Sequence, residues 1–228
     1  MKSQLNKKII ERFSRQIVLK DIGILGQKKI LSSKVLIIGA GGLGSPAAEF
    51  LSRAGIGTLG IVDDDKVSLS NLHRQSLYSS FDIGKFKVKI AKDKIKKINP
   101  NTKVTTYKIR LNSKNFKKIL NDYDYIVDGS DNFTTKFLLN DFCLKFKKIP
   151  CLRCFFQESE ISDNLLNCES EGILGTVAGI IGTIQANEVL KKILNIGTGL
   201  DGYILILDLL HLKFRKVKLN KRKNCICR

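Results

Sequence analysis

Short apolar runs alternate with segments of helical periodicity over the first two thirds of the chain. The runs predict strands at residues 34–38, 58–62, 103–109 and 123–128. Apolar residues at three- and four-residue steps predict helices at about 44–54, 85–98, 114–120 and 134–147. Strands that alternate with helices are typical of a parallel, doubly wound sheet. We therefore expect an α/β fold built on a Rossmann-like, mostly parallel sheet.

The two ends of the chain carry different patterns. An amphipathic stripe predicts a helix over residues 7–19, and we expect residues 1–30 to form an N-terminal helical arm. The alternating strands and helices form a core at 31–148, and the remainder, 149–228, completes a single domain spanning residues 1–228. The elements predicted in this last part are an irregular cysteine-bearing loop at 150–171, an apolar helix at 176–194 ended near Gly197, and antiparallel strands at 203–208 and 212–219.

The charge and composition narrow the class of partner. The chain has a formal net charge of +19, but its lysines are scattered and it has no tryptophan, so nucleic-acid binding is not expected and an acidic protein partner stays open. The longest apolar stretch is interrupted by Gln185, Asn187 and Glu188, which argues against a membrane span. The polar N-terminus does not resemble a signal peptide. We expect a cytoplasmic protein, or one of the plastid stroma if the biased composition reflects an organelle-encoded gene.

A glycine-rich turn follows the first predicted strand. Gly39, Gly41, Gly42 and Gly44 form a GxGxxG pattern directly before a predicted helix. Such a turn lets the backbone approach a phosphate, and the helix directs its N–H groups at the anion. Asp63 ends the second predicted strand, where an acid typically binds ribose hydroxyls. These features alone fit an NAD-dependent oxidoreductase equally well.

Polar residues further along the chain favour a triphosphate. Asn71, Arg74 and Lys87 add one amide and two cations, which a triphosphate under attack needs and a diphosphate held on backbone amides does not. Asp131 follows the fourth predicted strand, at the edge where ligands bind in open α/β sheets. Its carboxylate would either hold Mg²⁺ between phosphate oxygens or cap the helix that begins near Phe133. The spacing alone leaves both uses open.

These residues belong to a longer series of motifs. The series comprises Arg12-Phe13-Ser14-Arg15-Gln16-Ile17, the turn at 39–44, Asp63-Asp64-Asp65, Ser68-Leu69-Ser70-Asn71-Leu72-His73-Arg74-Gln75, Gly84 with Lys87, Asn99-Pro100, Asp128 with Ser130-Asp131-Asn132, and Cys168-Glu169-Ser170-Glu171-Gly172. In this combination, and nearly end to end, the chain resembles the HesA/MoeB/ThiF family of adenylyltransferases, which are related to ubiquitin-activating enzymes.

The resemblance implies that ATP adenylates the C-terminal glycine of a small ubiquitin-like sulfur carrier that ends in Gly-Gly. It implies catalytic roles for Arg15, Arg74, Lys87 and Asp131, with Asp131 positioning Mg²⁺. Arg15 would reach into the site of a neighbouring subunit, which implies a homodimer. The residues that it places at the nucleotide are Gly39, Gly41, Gly42, Gly44, Asp63, Asp65, Ser70, Asn71, Leu72, His73, Arg74, Lys87, Asp131 and Asn132. We interpret His73 as structural, because a carboxylate nucleophile needs no strong general base.

Two cysteine pairs form a candidate zinc site. Cys151 and Cys154 form a CxxC, and Cys225 and Cys227 form a CxC, one residue shorter than the second pair of many family members. In a reducing compartment paired cysteines indicate metal or catalysis rather than disulfides. Four thiolates from two pairs suit structural zinc, and the resemblance points the same way. Alternatively, the first pair lies on a buried strand and the second in a disordered tail.

The chain departs from the family after Pro150. Family members continue from this proline into a strand and a hairpin that are absent here. Either residues 149–156 form a replacement strand, which would compromise zinc binding, or the sheet loses a strand. Cys168 aligns with a cysteine that some relatives use for sulfur transfer or thioester formation, so it is a possible reactive thiol; a buried or loop thiol is the alternative.

These observations predict a homodimeric adenylyltransferase that uses ATP, Mg²⁺ and zinc. Its substrate would be a MoaD- or ThiS-type carrier in molybdopterin or thiamine biosynthesis, and its positive charge would steer an acidic carrier. One alternative is a catalytically weakened nucleotide-binding or scaffold protein of the same fold, motivated by the missing segment. The other is the NAD-dependent oxidoreductase, which would have no use for Lys87 or Asp131.

Overall fold

The structure is a computed structural model that describes residues 5–144, 151–156, 172–223 and 225. Its helices are α1 (Lys7–Arg12), α2 (Ser14–Ile17), α3 (Gly23–Ser32), α4 (Gly44–Ala54), α5 (Lys87–Ile98), α6 (Phe116–Leu120), α7 (Phe133–Cys143), α8 (Leu152–Phe155) and α9 (Gly175–Leu194). Its strands are β1 (Lys34–Ile38), β2 (Thr58–Val62), β3 (Lys103–Tyr107), β4 (Tyr125–Asp128), β5 (Tyr203–Asp208) and β6 (Lys213–Lys218). Short 3₁₀ turns lie at Leu69–Asn71 and Ser80–Asp82.

The main sheet is parallel throughout and has the strand order β3-β2-β1-β4. Ile37 at its centre lies beside Ile61 of β2 and Val127 of β4, and all three are at most 3% exposed. Strands that are buried on both faces are expected to be apolar along their length, as they are here. The predicted Rossmann-like sheet is confirmed.

The chain changes direction across the sheet at β1. From β1 it crosses through α4 to β2 and then to β3 on one side, whereas β4 pairs with the other side of β1. Ligands of open α/β sheets bind outside the carboxyl ends of the strands at such a switch point. The end of β1, where the glycine turn begins, is therefore the position at which this topology places a ligand.

A second, smaller sheet contains β5 and β6, which pair antiparallel from Tyr203 opposite Lys218 to Asp208 opposite Lys213. The predicted C-terminal antiparallel pair is confirmed. Every residue of β6 is exposed. Among the described residues this hairpin is not hydrogen-bonded to the main sheet.

The long helix α9 packs against α4. Its inward residues include Ala178, Gly182 and Ala186, which are small enough for the two helices to approach closely; a Cβ on Gly182 would overlap Leu43 O. The helix ends at Leu194, as predicted, but its C-cap is Asn195, which has a left-handed φ of 58° and lies two residues before Gly197. Among the described residues no helix is long and apolar enough to cross a membrane.

The N-terminal arm is not one continuous helix. The predicted helix at 7–19 is interrupted at Phe13, which has the non-helical angles φ −106° and ψ 14° between α1 and α2. Phe13 is 2% exposed and packs on Gly55, where a Cβ would lie 2.6 Å from its ring. Burial of this ring fixes the position of the arm, and the helix breaks to allow it.

Residues Leu152–Phe155 form the helical turn α8, so the alternative in which residues 149–156 form a replacement strand is wrong for the described residues. Side chains of α7 explain the difference. Asn140 Oδ1 accepts a 2.9 Å hydrogen bond from Leu152 N, and the Asp141 carboxylate accepts two bonds of 2.7 Å from the Arg153 guanidinium. These bonds hold the segment against α7 in a helical rather than an extended conformation.

Candidate active site

The glycine turn lies against the loop that follows β4. Gly39 has a φ of +82°, and a Cβ there would lie 2.7 Å from Gly129 O, so only glycine fits. Gly129 N in turn donates a 2.8 Å hydrogen bond to Ile38 O. The turns that follow β1 and β4 are therefore in direct contact at the switch point.

Three side chains fix the peptide groups of Ala40 within this turn. Asp63 Oδ2 accepts a 2.7 Å hydrogen bond from Ala40 N. The hydroxyls of Tyr78 and Ser45 both donate to Ala40 O, at 2.9 Å and 3.1 Å. Because the amide and the carbonyl are both held, the turn is rigid before any ligand arrives.

The next backbone N–H groups are available to a ligand. Among the described residues, no acceptor is found for the N–H groups of Gly41, Gly42 or Leu43. They lie at the N-terminus of α4, which has no side-chain cap. Successive N–H groups at a helix N-terminus form a concave site for an anion, and the helix dipole favours negative charge there.

Asp63 connects this turn to β2. Its side chain is largely buried, and its second oxygen, Oδ1, accepts a 2.8 Å hydrogen bond from Asp65 N. Burial raises the pKa of Asp63 above its usual range, an effect that Lys87 and the two N–H donors only partly offset. Each carboxylate oxygen keeps a second lone pair, which is the acceptor that the predicted contact with ribose hydroxyls requires.

Lys87 brings a buried cation to the same edge of the sheet. Its side chain is 6% exposed, and its ammonium lies 2.8 Å from Asp65 Oδ2, whose side chain is 66% exposed. A second bond joins the backbones, from Lys87 N to Asp65 O at 3.0 Å. The structure therefore places the predicted Asp63, Asp65 and Lys87 together at the end of β2.

The motif at 68–75 folds over the glycine turn. Arg74 Nη1 donates to Ser70 O at 2.9 Å and lies 2.8 Å from His73 Nε2. The Arg74 side chain crosses Gly42, where a Cβ would lie 3.5 Å from its Cγ and Cδ. Asn71 O accepts from Arg74 N at 3.1 Å, which makes Asn71 part of the same turn. Arg74 is thus positioned beside the N–H groups of the glycine turn.

Leu72 and His73, which were predicted at the nucleotide, make contacts with the rest of the protein. The side chain of Leu72 is partly buried and packs against the main apolar core. His73 is exposed, and its Nε2 lies beside Arg74 Nη1. Its carbonyl is so close to Gly175 that a Cβ on that glycine would overlap it. His73 therefore contacts both Arg74 and the start of α9, and its structural role stays a prediction.

The loop between β4 and α7 separates the roles of Asp131 and Asn132. Asn132 is the N-cap of α7 and accepts a 2.9 Å hydrogen bond from Thr135 N. The alternative in which Asp131 caps this helix is therefore wrong. Asn132, which was predicted at the nucleotide, has a structural role as the cap. Asp131 is exposed beside it. Asp128 braces the loop by accepting bonds from Ser130 N at 3.0 Å and Ser130 Oγ at 2.5 Å.

Arg15 does not lie at the glycine turn of its own chain. It is exposed on α2, and Gln16 of the same helix donates a 3.0 Å hydrogen bond to Ala54 O. Ala54 is the last residue of α4, and Gly44 at the glycine turn is the first. A helix of this length spans roughly 16 Å. The predicted function of Arg15 in a neighbouring subunit stays a prediction.

Three of the four predicted zinc ligands lie together. The Sγ atoms of Cys151, Cys154 and Cys225 are all within 4.8 Å of one another, and those of Cys151 and Cys225 are 3.4 Å apart. Thiolates of a tetrahedral zinc site, with Zn–S bonds of about 2.3 Å, are separated by roughly 3.8 Å, so these distances fit the metal. Cys227 and the possible thiol Cys168 lie outside the described residues.

Two residues that contact the glycine turn were missed by the sequence interpretation. Tyr78 holds Ala40, and no pattern around it marks this contact. Gln75 is 3% exposed and its amide lies beside Gly41. It belongs to the motif at 68–75, which was the only signal available.

Comparison with known proteins identifies the family of the chain. The model described as "ThiF family" matches residues 13–150 and 146–228. The chain belongs to the ThiF family. Its relatives include the adenylyltransferase and sulfurtransferase MOCS3 of Aedes aegypti, which is 39% identical over 97% of this chain and 55% of the relative. This ThiF-family chain thus spans little more than half the length of the MOCS3 proteins that it matches.

A second relative matches over most of its own length. The sulfur carrier protein adenylyltransferase of Thermus thermophilus is 34% identical, over 96% of this chain and 90% of the relative. Among solved structures, the ThiF-family chain is similar to Escherichia coli MccB with ATP, with a TM-score of 0.80 and 20% identity over 99% of this chain and 82% of MccB. The structural similarity supports the fold alone.

The family match is divided where a missing segment was predicted. Its two parts meet at residues 146–150, next to Pro150. The alignment with the Aedes aegypti relative has 242 positions, more than the 228 residues of this ThiF-family chain, so the relative has residues without a counterpart here. Both observations agree with a shortened segment after Pro150.

Proposed function

We propose that this chain is an adenylyltransferase that uses ATP and Mg²⁺ to activate the C-terminal carboxylate of a small sulfur-carrier protein. The observation that carries the proposal is the braced glycine turn, whose N–H groups at Gly41, Gly42 and Leu43 face an anion site beside Arg74. The relatives named as adenylyltransferases support the same activity.

The proposed reaction transfers an adenylyl group. A carboxylate oxygen of the carrier attacks the α-phosphorus of ATP, the bond to the bridging oxygen of the β-phosphate breaks, and pyrophosphate leaves with that electron pair. No proton moves, so the site needs no general base. Its task is to bring two anions together and to stabilise the charge that develops on the phosphates.

Three of the described residues would supply that electrostatic stabilisation. Arg74 lies over Gly42, and Lys87 lies buried beside Asp65, so both cations are held near the turn. Asp131 is exposed at the end of β4 and would hold Mg²⁺ through its carboxylate. Bound Mg²⁺ would neutralise phosphate charge, and Asp63 would accept hydrogen bonds from the ribose.

The carrier would be of the MoaD or ThiS type, ending in Gly-Gly. The net charge of +19 would attract an acidic carrier and accelerate its association. We further propose a homodimer in which Arg15 of one subunit acts at the site of the other. This arrangement agrees with the placement of α2 at the far end of α4.

Zinc is proposed as a structural metal at Cys151, Cys154, Cys225 and Cys227. It would join α8 to the C-terminal end of the chain, and the three described thiols support this assignment. The site would be separate from the nucleotide and would contribute to stability rather than to adenylyl transfer.

The divided family match favours one second candidate function. If the shortened segment after Pro150 removes part of the carrier-binding surface, the chain would bind ATP without adenylating a carrier, as a scaffold of the same fold. The nucleotide residues all precede this segment and would be unaffected. ATP binding without carrier activation would favour the scaffold.

Nucleotide binding by the purified protein tests the proposal. Isothermal titration with ATP and Mg²⁺ should show binding, and titration with NAD⁺ should show none. The substitution Arg74→Gln should weaken ATP binding. Lys103→Gln is a matched control, because Lys103 is exposed at the first residue of β3 and so lies at the opposite edge of the parallel sheet from the turn. Binding of NAD⁺ without binding of ATP would overturn the proposal.

A further inference from the structure

Gln75 is a buried carboxamide without a hydrogen-bond partner among the described residues. Its side chain is 3% exposed, and Oε1 is inaccessible and lacks a donor. Nε2 likewise donates no hydrogen bond to a described group. Buried amide groups are nearly always paired, because leaving one unpaired sacrifices the hydrogen bonds that it makes with water.

Gln27 shows how the same fold treats another buried glutamine. It is fully buried, its Nε2 donates to Ala54 O at 3.0 Å, and its Oε1 accepts from Gln16 Nε2 at 2.9 Å. Both ends of that amide are paired. Gln185 also has a buried Oε1 without a donor, but its Nε2 donates to Asp128 O at 2.9 Å. Of these three glutamines, only Gln75 has neither end of its amide paired with a described group.

Gln75 lies against the glycine turn. A Cβ on Gly41 would be 3.7 Å from Gln75 Nε2, so the amino end of the carboxamide faces the turn. Its backbone is fixed on both sides, because Gln75 N donates to Asn71 O and Gln75 O accepts from Tyr78 N, each at 3.1 Å. Tyr78 is itself bonded to Ala40, so Gln75 and the turn form one rigid unit.

We propose that Gln75 is a further nucleotide-binding residue, whose Nε2 donates a hydrogen bond to a phosphate oxygen held in the glycine turn. The inference rests on the proposed function, since it assumes a nucleotide at this turn. A phosphate oxygen at the turn would be the missing partner of Nε2, while Oε1 faces the protein interior without a donor. A buried polar group that lowers stability and makes no structural contact is expected at a functional site.

The substitution Gln75→Leu separates this role from a structural one. It removes the unpaired polar group and keeps similar volume, so the melting temperature should stay the same or rise. The hydrogen bond to an anion is lost, so the dissociation constant for Mg²⁺-ATP should rise about tenfold or more. Stability and affinity then change in opposite senses.

Two further variants sharpen the test. Gln75→Glu keeps the shape but places a carboxylate beside the phosphates, and its affinity for Mg²⁺-ATP should fall further than that of Gln75→Leu. Gln27→Leu is the control: it breaks two paired hydrogen bonds, so its melting temperature should fall while its affinity for Mg²⁺-ATP is unchanged.

Titration of Mg²⁺-ATP and thermal unfolding of each variant decide the outcome. Unchanged affinity in Gln75→Leu, with binding intact in the wild type, overturns the inference and leaves the proposed function standing. A fall in melting temperature of Gln75→Leu comparable to that of Gln27→Leu also overturns it, since Gln75 would then be structural. Absence of ATP binding by the wild type overturns the proposed function and the inference together.

Discussion

The carboxylate of Asp63 and the backbone N–H of Ala40 are joined by a 2.7 Å hydrogen bond. This bond connects the end of β2 to the turn that follows β1, and it belongs both to the fold and to the candidate site. The other carboxylate oxygen accepts from Asp65 N at 2.8 Å, so one buried side chain fixes two loops.

Removal of this carboxylate is predicted to affect stability and nucleotide binding together. Asp63→Ala leaves the N–H groups of Ala40 and Asp65 without their acceptor, which should cost about 1–3 kcal/mol. For a chain of this size each kcal/mol lowers the melting temperature by roughly 2–4 °C. Calorimetry and ATP titration check both effects.

Asp64→Ala is the matched control, because Asp64 is the exposed neighbour of Asp63. It should have the melting temperature and the ATP affinity of the wild type. An Asp63→Ala protein as stable as this control would show that the bond to Ala40 does not brace the turn.

Adjacent residues of the β4–α7 loop are predicted to separate catalysis from stability. Asp131→Ala removes an exposed carboxylate and should abolish adenylyl transfer while leaving the melting temperature unchanged. Asn132→Ala removes the N-cap of α7 and should cost about 1 kcal/mol while much of the activity remains. The experiment is pyrophosphate exchange and thermal unfolding of both variants. Near-normal exchange by Asp131→Ala would refute its role with Mg²⁺.

The pair of Asp141 and Arg153 is predicted to make stability depend on pH. Burial raises the pKa of Asp141, but hydrogen bonds from Arg153 and Asn140 outweigh it, and the pKa lies below its usual 3.8. A lowered pKa in the folded state means that the stabilisation is present above the unfolded value and is lost as pH falls through the folded value.

Asp141→Asn should therefore be less stable than the wild type at pH 7, by about 1 kcal/mol for a partly exposed bidentate pair. The difference should shrink as pH falls below about 4. Urea unfolding of both proteins from pH 7 downwards measures it. A difference that is the same at every pH would show that the ionised pair is not its source.

The strands of the main sheet were predictable because they are buried on both faces. Val35, Leu36 and Ile37 form a continuous apolar run, and the glycine turn after it marks the ligand edge of the sheet. Which loop side chain takes which role was less predictable. Asp131 and Asn132 both suit an N-cap, and only the φ and ψ angles of the loop decide that Asn132 takes it.

Contacts between distant segments account for the remaining differences. The break at Phe13 depends on Gly55, and the turn α8 depends on Asn140 and Asp141, so neither follows from local periodicity. The contact of Gln75 with Gly41 likewise arises only when the loop at 66–84 folds over the turn. No local pattern in a single sequence indicates which distant residue each of these side chains contacts.

Zinc content is predicted to depend on a defined set of cysteines. Metal analysis of the purified protein should give one zinc per chain, and Cys151→Ser, Cys154→Ser and Cys225→Ser should each lose it. Cys143→Ser is the control, since Cys143 is exposed on α7 and outside the cluster. Full zinc content in Cys154→Ser would contradict the assignment, as would absence of zinc from the wild type.

ATP–pyrophosphate exchange is the most direct test of the proposed function. With Mg²⁺ and a MoaD- or ThiS-type carrier that ends in Gly-Gly, the protein should return labelled pyrophosphate to ATP. A carrier with an amidated C-terminus should support no exchange, because the attacking carboxylate is missing. Exchange that requires the free carboxylate is the result that we predict; ATP binding without exchange for either carrier type would contradict the account.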